Sequence, residues 1–314
     1  MVDILPSRSP EPRLLDIWQA AMGDRQPIMP ELWAANTAGD PSFRPGDLLV
    51  AVEAGEPVGF ALTKRFREPT PTCERFRDIG YLALLAVAPA HQRRGIGTAL
   101  LATAEAALSR EGVMRVVLGG SFHHFLPGIP ADTAEAFFTA RGYALGERVW
   151  DVHANLSDAV LPDVSAAIAA AGVSIRLVAP EERGALLAFL ETEFSGRWRY
   201  DADFYTAEPD RASRVAGVFE GDRLLGFALL HPPRARGALR WAGFSKDVAA
   251  LGPIGLAAST RGQGLGLALL VRGLELLRTL GAQDTVIDWT TLLDFYARAG
   301  FAPWLAYRLG AKDL

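Results

Sequence analysis

Two short runs, Gln92-Arg93-Arg94-Gly95-Ile96-Gly97-Thr98 and Arg261-Gly262-Gln263-Gly264-Leu265-Gly266, carry residue types suited to cradling a phosphate. Each stands between an apolar strand-like run and an apolar helix-like one. That context suits a diphosphate, because the first N–H groups of a helix lack internal partners and the helix dipole favours an anion there. Glycine, having no Cβ, lets the anion come close to the backbone. Neither run has the Gly-Lys-Ser/Thr of a Walker loop, and neither follows a first strand as a dinucleotide fingerprint would. One such turn could be mere punctuation; two in the same context are stronger evidence of a site.

Residues able to move protons separate the two runs. Aligning the late helices sets Ala136-Phe137-Phe138-Thr139-Ala140-Arg141-Gly142-Tyr143 on Asp294-Phe295-Tyr296-Ala297-Arg298-Ala299-Gly300-Phe301, so Phe138 stands where Tyr296 stands. A phenol can donate a proton and a phenyl ring cannot, so of the two only Tyr296 could donate one; a tyrosine packed in the core is the plainer alternative. Asp288, near the end of a strand, has Gly119 or Gly120 as its counterpart. It is a candidate to bind an ammonium group or take its proton, against the plain reading of a hydrogen-bonded strand-end carboxylate. Asp247 is a weaker candidate for the same role. The indoles of Trp198, Trp241, Trp289 and Trp304 are candidates to stack on a sugar face, although most aromatics are core, and Asp201 and Asp203 are candidates to hold an amine or hydroxyls, against the plain reading of surface charges. Cys73 has no histidine near it in sequence, and His123-His124 lack zinc-ligand spacing, so neither covalent catalysis nor a metal is expected.

The elements that must position these groups repeat once at half-length. Val52-Glu53-Ala54-Gly55-Glu56-Pro57-Val58 and Phe219-Glu220-Gly221-Asp222-Arg223-Leu224-Leu225 each read as strand, polar turn, strand. Each is followed by an apolar strand (81–87 and 251–257), a glycine turn, a helix, a β-branched strand and a short helix ending at a Gly-aromatic pair. Each copy opens with a helix-rich segment, 11–33 and 180–204. The organisation predicted is a tail over 1–13, one domain over 14–156, a short helical linker over 157–172 ending at Gly172, and a second domain over 173–310.

Composition is the balance of a soluble globular protein and gives no sign of a polyanion binder. In 314 residues, half are hydrophobic, 22% are charged and the formal net charge is -4, which excludes strong attraction to nucleic acid or an anionic membrane. The N-terminal residues lack a secretory pattern and the chain has one cysteine, so a cytoplasmic protein is expected.

At the two glycine turns the sequence resembles the GNAT superfamily, whose motif is Gln/Arg-x-x-Gly-x-Gly/Ala between a fourth strand and a third helix; the resemblance covers nearly all of the chain. It implies two tandem α/β domains, each a mixed sheet flanked by helices, with acyl-CoA lying where the fourth and fifth strands splay. It further implies that backbone around Ile254, Gly255 and Leu256 holds the thioester, that Arg261, Gly262, Gln263, Gly264, Leu265 and Gly266 hold the diphosphate with Phe295 alongside, and that Tyr296 protonates the departing thiolate. Val87, Arg93, Arg94, Gly95, Ile96, Gly97 and Thr98 would form the equivalent site in a first domain that is expected to be non-catalytic. The runs 286–296 and 119–128 resemble glucosamine and glucosaminide N-acetyltransferases, and more distantly mycothiol synthase. The resemblance therefore implies acetyl-CoA as co-substrate and a small-molecule amine as acceptor, with a non-enzymatic acyl-CoA sensor as the rival.

Overall fold

Where apolar runs are broken by polar turns, the computed structural model, which describes residues 2–7, 9–207 and 214–314, forms strands. Two units result: Met1–Val149 with Ala306–Leu314, and Trp150–Leu305.

The first unit contains β1 (Val2–Pro6), β2 (Leu48–Glu53), β3 (Glu56–Lys64), β4 (Ile79–Val87), β5 (Arg115–Leu118), β6 (Ile129–Pro130) and the start of β7 (Ala144–Asn155). Its helices are α1 (Leu14–Met22), α2 (Pro30–Asn36), α3 (Pro71–Glu74), α4 (Ile96–Arg110) and α5 (Glu135–Thr139). The β2–β3 hairpin closes at Glu53 opposite Glu56, and both turn residues, Ala54 and Gly55, have positive φ, as a tight right-twisted hairpin requires. β4 runs antiparallel to β3 and parallel to β5. Leu100, Leu101, Ala104 and Leu108 give α4 a buried stripe at helical spacing that packs into the same core as Leu82 and Val116.

The second unit repeats this order. It has the later part of β7, β8 (Ser174–Leu177), β9 (Arg214–Glu220), β10 (Arg223–His231), β11 (Val248–Leu256), β12 (Asp284–Thr290) and the first residues of β13 (Ala302–Asp313). Its helices are α6 (Ser165–Ala171), α7 (Arg183–Glu193), α8 (Arg197–Ala207), α9 (Leu265–Thr279) and α10 (Leu293–Ala297). β11 lies antiparallel to β10 and parallel to β12, and α9 buries Leu265, Leu269, Leu270, Leu274 and Leu277 in the core. The fold is thus the mixed sheet with flanking helices that the sequence predicted, twice over. Among the described residues no helix is long and apolar enough to cross a membrane.

The boundaries differ from those predicted. The segment taken as a tail holds β1, paired along its whole length with β2. The linker forms the short helix expected of it, α6, capped by Gly172 in the left-handed region, but it is not free of the second unit, since Val164 ahead of it packs with Ala268 and Val271 of α9. The division falls inside β7, at Val149/Trp150. Its later residues pair with β12, from Asp284 opposite Asn155 to Ile287 opposite Val152. Residues 306–310, read as part of the second domain, belong to the first unit, where the end of β13 pairs with β5. The last two share a physical reason: β5 and β12 each need a neighbour on the side away from β4 and β11, and backbone pairing is satisfied by whichever strand the topology delivers.

Candidate active site

In the second unit β11 and β12 pair in parallel only from Val248 opposite Asp284 to Ala250 opposite Val286. Beyond that the strands part, while β11 stays paired to β10 as far as Leu256. A cavity of about 360 Å³ opens there, lined on β11 by Gly252, Pro253 and Ile254, on β12 by Ile287, Asp288, Trp289 and Thr290, and closed by Arg197, Trp198 and Tyr296 among others. Asp288, Tyr296 and Ile254, predicted from distant parts of the sequence, meet at this cavity.

The glycine turn lies beyond it, past the end of β11. Gly262 and Gly264 are both in the left-handed region, at φ 81° and 79°, and the first internal bond of α9 runs from Ala268 N–H to the Gly264 carbonyl. The N–H groups of Leu265, Gly266 and Leu267 therefore precede any intrahelical acceptor. Arg261 leans back on the Leu256 carbonyl, Nε to O 3.4 Å. Gly266 has the Phe295 ring 3.6 Å from where its Cβ would sit, which places Phe295 beside the turn. Gly255 is glycine because a Cβ there would come within 2.6 Å of the Phe194 ring.

Tyr296, on α10, is buried, edge-on to Phe295 and Phe301 at 4.9 and 6.0 Å. Burial, and then the negative charge of Asp288, push its phenol up to about 12, opposed by a hydrogen bond with Thr290. It therefore carries its proton at neutral pH.

Asp288 sits in a bulge. The β12–β7 register slips between Ile287 opposite Val152 and Thr290 opposite Trp150, and Trp289 takes a positive φ of 51°, an uncommon conformation for an aromatic. Asp288 Oδ2 accepts from Arg240 Nη1 at 2.8 Å, and Arg240 Nη2 donates to Asp151 Oδ2 at 2.9 Å. Asp151 also accepts from the Trp241 indole at 3.0 Å and the Trp289 backbone N–H at 3.2 Å. Complete burial raises the Asp151 carboxyl, against the pull of Arg240. Sequence reading missed both Asp151 and Arg240. The available signal was an aspartate, a residue depleted in strands, in the middle of Val149-Trp150-Asp151-Val152-His153-Ala154.

The wall formed by α8 contributes Arg197, whose guanidinium lies 4.7 Å from the Trp289 ring centroid and bonds Asp201 at 3.2 Å. Burial pushes Asp201 up to about 6, against the attraction of Arg197. Behind it, the buried His231 meets the Gly252 carbonyl through Nε2 at 3.2 Å, and burial brings it down to about 4. The other candidates fall elsewhere. Asp203 is half-exposed and pairs with Arg199 at 2.9 Å; Asp247 precedes β11, at the end of the strand away from the cavity. Trp241 is in the core, and Trp304 packs edge-on to Phe244 and at a tilt to His153.

The equivalent place in the first unit keeps the turn but has neither the carboxylate nor the phenol. Gly95 caps α4 at φ 83°, and Gly97 meets Phe137 at the same 3.6 Å. Arg93 takes φ 63° where Gly262 stands in the second unit. Arg94 is paired with Glu53 at 2.5 Å, and Thr98 accepts from Arg141 at 2.5 Å; Ile96 is buried and Val87 borders the turn. Register sets Gly119 against Asp288, since β5 pairs with β4 as β12 does with β11. A Cβ on Gly119 would come within 2.7 Å of the Gly128 backbone, so no carboxylate fits. Phe138 is packed between Phe137 and Tyr143. His123 and His124 are buried in this unit, and burial raises the Cys73 thiol, leaving it inert.

A splayed parallel strand pair with a glycine turn at its mouth now stands in both halves, and the acetyltransferase (GNAT) family pattern matches residues 12–125 and 183–301. The chain belongs to the GNAT acetyltransferase family. A mycothiol acetyltransferase of Kineococcus radiotolerans is 32% identical over 232 residues, 71% of this GNAT chain and 69% of the relative. The GCN5-related glucosamine N-acetyltransferase region of a fungal multi-domain GH3 beta-N-acetylglucosaminidase shares the fold at TM-score 0.85 and 24% identity, covering 99% of this chain and 38% of that one. A tandem GNAT protein from the clavulanic acid biosynthesis pathway shares it at TM-score 0.65 and 18% identity, covering 100% and 98%. The protein is an N-acetyltransferase, with the GNAT module present twice.

Proposed function

We propose that the second unit transfers an acetyl group from acetyl-CoA to the primary amine of an amino sugar or aminosugar conjugate, and that the first unit is a retained fold without chemistry. The observation that carries this is the cavity holding Asp288 and Tyr296 together, against Gly119 and Phe138 at the same positions in the first unit.

Acetyl-CoA supplies an acetyl group already activated as a thioester. The residues present fit it: Gly262 and Gly264 in left-handed conformation and the open N–H groups of Leu265 and Gly266 at the start of α9 would hold the diphosphate, with Arg261 and Gln263 on the turn. The unpaired edge of β11 from Gly252 to Leu256 would run beside the acyl end.

At the cavity, Asp288 holds and orients the acceptor ammonium and takes a proton from it at the carboxylate. Tyr296 keeps its proton at Oη at neutral pH and donates it where sulfur gains charge. An amine with a pKa of about 8 loses its proton near neutrality, whereas a lysine amine at about 10.4 needs a stronger base. A lone carboxylate already paired with arginine therefore favours an amino-sugar amine over lysine. The glucosamine reading draws on the fungal fold neighbour and the conjugate reading on the mycothiol acetyltransferase relative. CoA-thiol release by the full chain, compared across glucosamine, chitosan-type oligomers, a cysteinyl aminosugar conjugate and a lysine peptide, separates them. Release with none of these amines sinks the proposal in favour of acyl-CoA binding alone.

A further inference from the structure

Two residues far apart in sequence, Arg240 and Asp151, converge behind Asp288. Arg240, its side chain only 7% exposed, lies between Asp288, at the cavity, and Asp151, sealed in the core at 0%. Asp151 reaches the site by two routes. Its Oδ2 fixes the guanidinium and the Trp241 indole, and its Oδ1 accepts from the N–H of Trp289, the residue that follows Asp288. The arginine also stacks on the Trp241 ring, 4.4 Å from its centroid. A guanidinium so held has little rotamer freedom left.

Such a cluster is a poor investment in stability. Burying an ion costs several kcal/mol, and a buried arginine between carboxylates does about as well when replaced by well-packed apolar residues. Its geometry serves the carboxylate at the cavity instead. With Asp288 alone on the arginine, the whole guanidinium charge would be directed at it; Asp151, which accepts from Arg240 Nη2, the Trp241 indole and the Trp289 N–H, takes a share of that charge and leaves Asp288 more of its own for a cationic amine arriving at the cavity.

We propose that Arg240, anchored by Asp151, is a positioning residue for acetyl transfer: it fixes the Asp288 carboxylate at the cavity wall, and Asp151 offsets its charge so that Asp288 stays available to the acceptor. This rests on the reading above that Asp288 serves the amine. Asp151 lies before β8, in the sequence copy that was expected to be non-catalytic, yet it completes the second unit.

The test uses the full chain, acetyl-CoA, and glucosamine as the acceptor probe, with kcat, both KM values and thermal unfolding measured for Arg240→Met, Arg240→Lys, Asp151→Asn, Asp288→Asn and the double variant Arg240→Met/Asp288→Asn. Arg240→Met is expected to lower kcat/KM for glucosamine by about 100-fold while changing KM for acetyl-CoA less than about threefold. Arg240→Lys should recover about tenfold of that loss, and Asp151→Asn should fall with Arg240→Met. The double variant should be no slower than Asp288→Asn alone, because Arg240 acts through Asp288. Wild-type activity in Arg240→Met, no benefit from lysine over methionine, or losses that multiply in the double variant each overturn the proposal. If Arg240→Met fails to fold, Arg240→Lys with and without Asp288→Asn runs the same cycle. Full activity of Asp288→Asn overturns the underlying reading, and impaired Asp288→Asn beside an unimpaired Arg240→Met overturns the positioning role alone.

Discussion

At the end of the fifth strand-like element of each copy the backbone turns through a positive φ, at Gly120 in one and Trp289 in the other. The residue before it is Gly119 in the first unit, pressed against Gly128, and Asp288 in the second, facing a cavity. On the short helix that follows, Phe138 and Tyr296 sit in closely similar aromatic nests. The same main chain thus carries a packed core in one unit and polar groups around a cavity in the other. A duplicated fold keeps its turns and strands because they are needed for folding, whereas Asp288 and Tyr296 have no counterparts of the same chemistry in the first unit.

The sharpest way to break the comparison is to make the second unit resemble the first. Tyr296→Phe removes only a hydroxyl, and turnover is expected to fall by about 100- to 1000-fold, the usual worth of a general acid, with KM for acetyl-CoA nearly unchanged in steady-state assays. Equal activity of this variant and wild type would erase the assigned difference between the copies.

The reverse change should fail sterically. Gly119→Asp puts a Cβ within 2.7 Å of the backbone at a φ of 66°, and is expected to destabilise the chain by about 3 kcal/mol, as clashes at special φ/ψ do. Thermal or urea unfolding measures this, and no new activity should appear.

A pH test sharpens the contrast in electrostatics. Asp201 is pushed up to about 6 by burial, above the unfolded value of about 3.9. Between these values the folded state binds more protons than the unfolded, so stability falls as pH rises through the window. The stability of wild type relative to Asp201→Asn should therefore drop by on the order of 2 kcal/mol between pH 4 and pH 7. Chemical denaturation of both at the two pH values checks the sign.

Phe138→Tyr is the mildest change. The added hydroxyl enters an aromatic nest, with an expected cost of about 1 kcal/mol and no change in acetyl transfer. A rise in turnover would show that the first unit holds the remaining groups for catalysis.

Much of this could be read from one sequence because the chain supplies its own comparison. Periodicity marks strands and helices, two glycine turns in register mark the mouths of the splayed strands, and aligning the copies isolates Tyr296 and Asp288. These are local signals: residues within about a turn or a strand of one another. Boundaries were less legible where pairing is distant, as with Val2–Pro6 on β2 and Trp150–Asn155 on β12, because any short alternating strand can pair with any other and the sequence does not say which.

What the sequence determined by itself was the pair of modules, their mixed sheets and the asymmetry between Phe138 and Tyr296, all set by short-range pattern. Only the tertiary structure decided that Asp151 and Arg240, 89 residues apart, would meet behind Asp288, and that the second site would take its buried carboxylate from the strand that closes the first copy. A buried ion cluster is chosen by three-dimensional proximity and desolvation, which no spacing along the chain records.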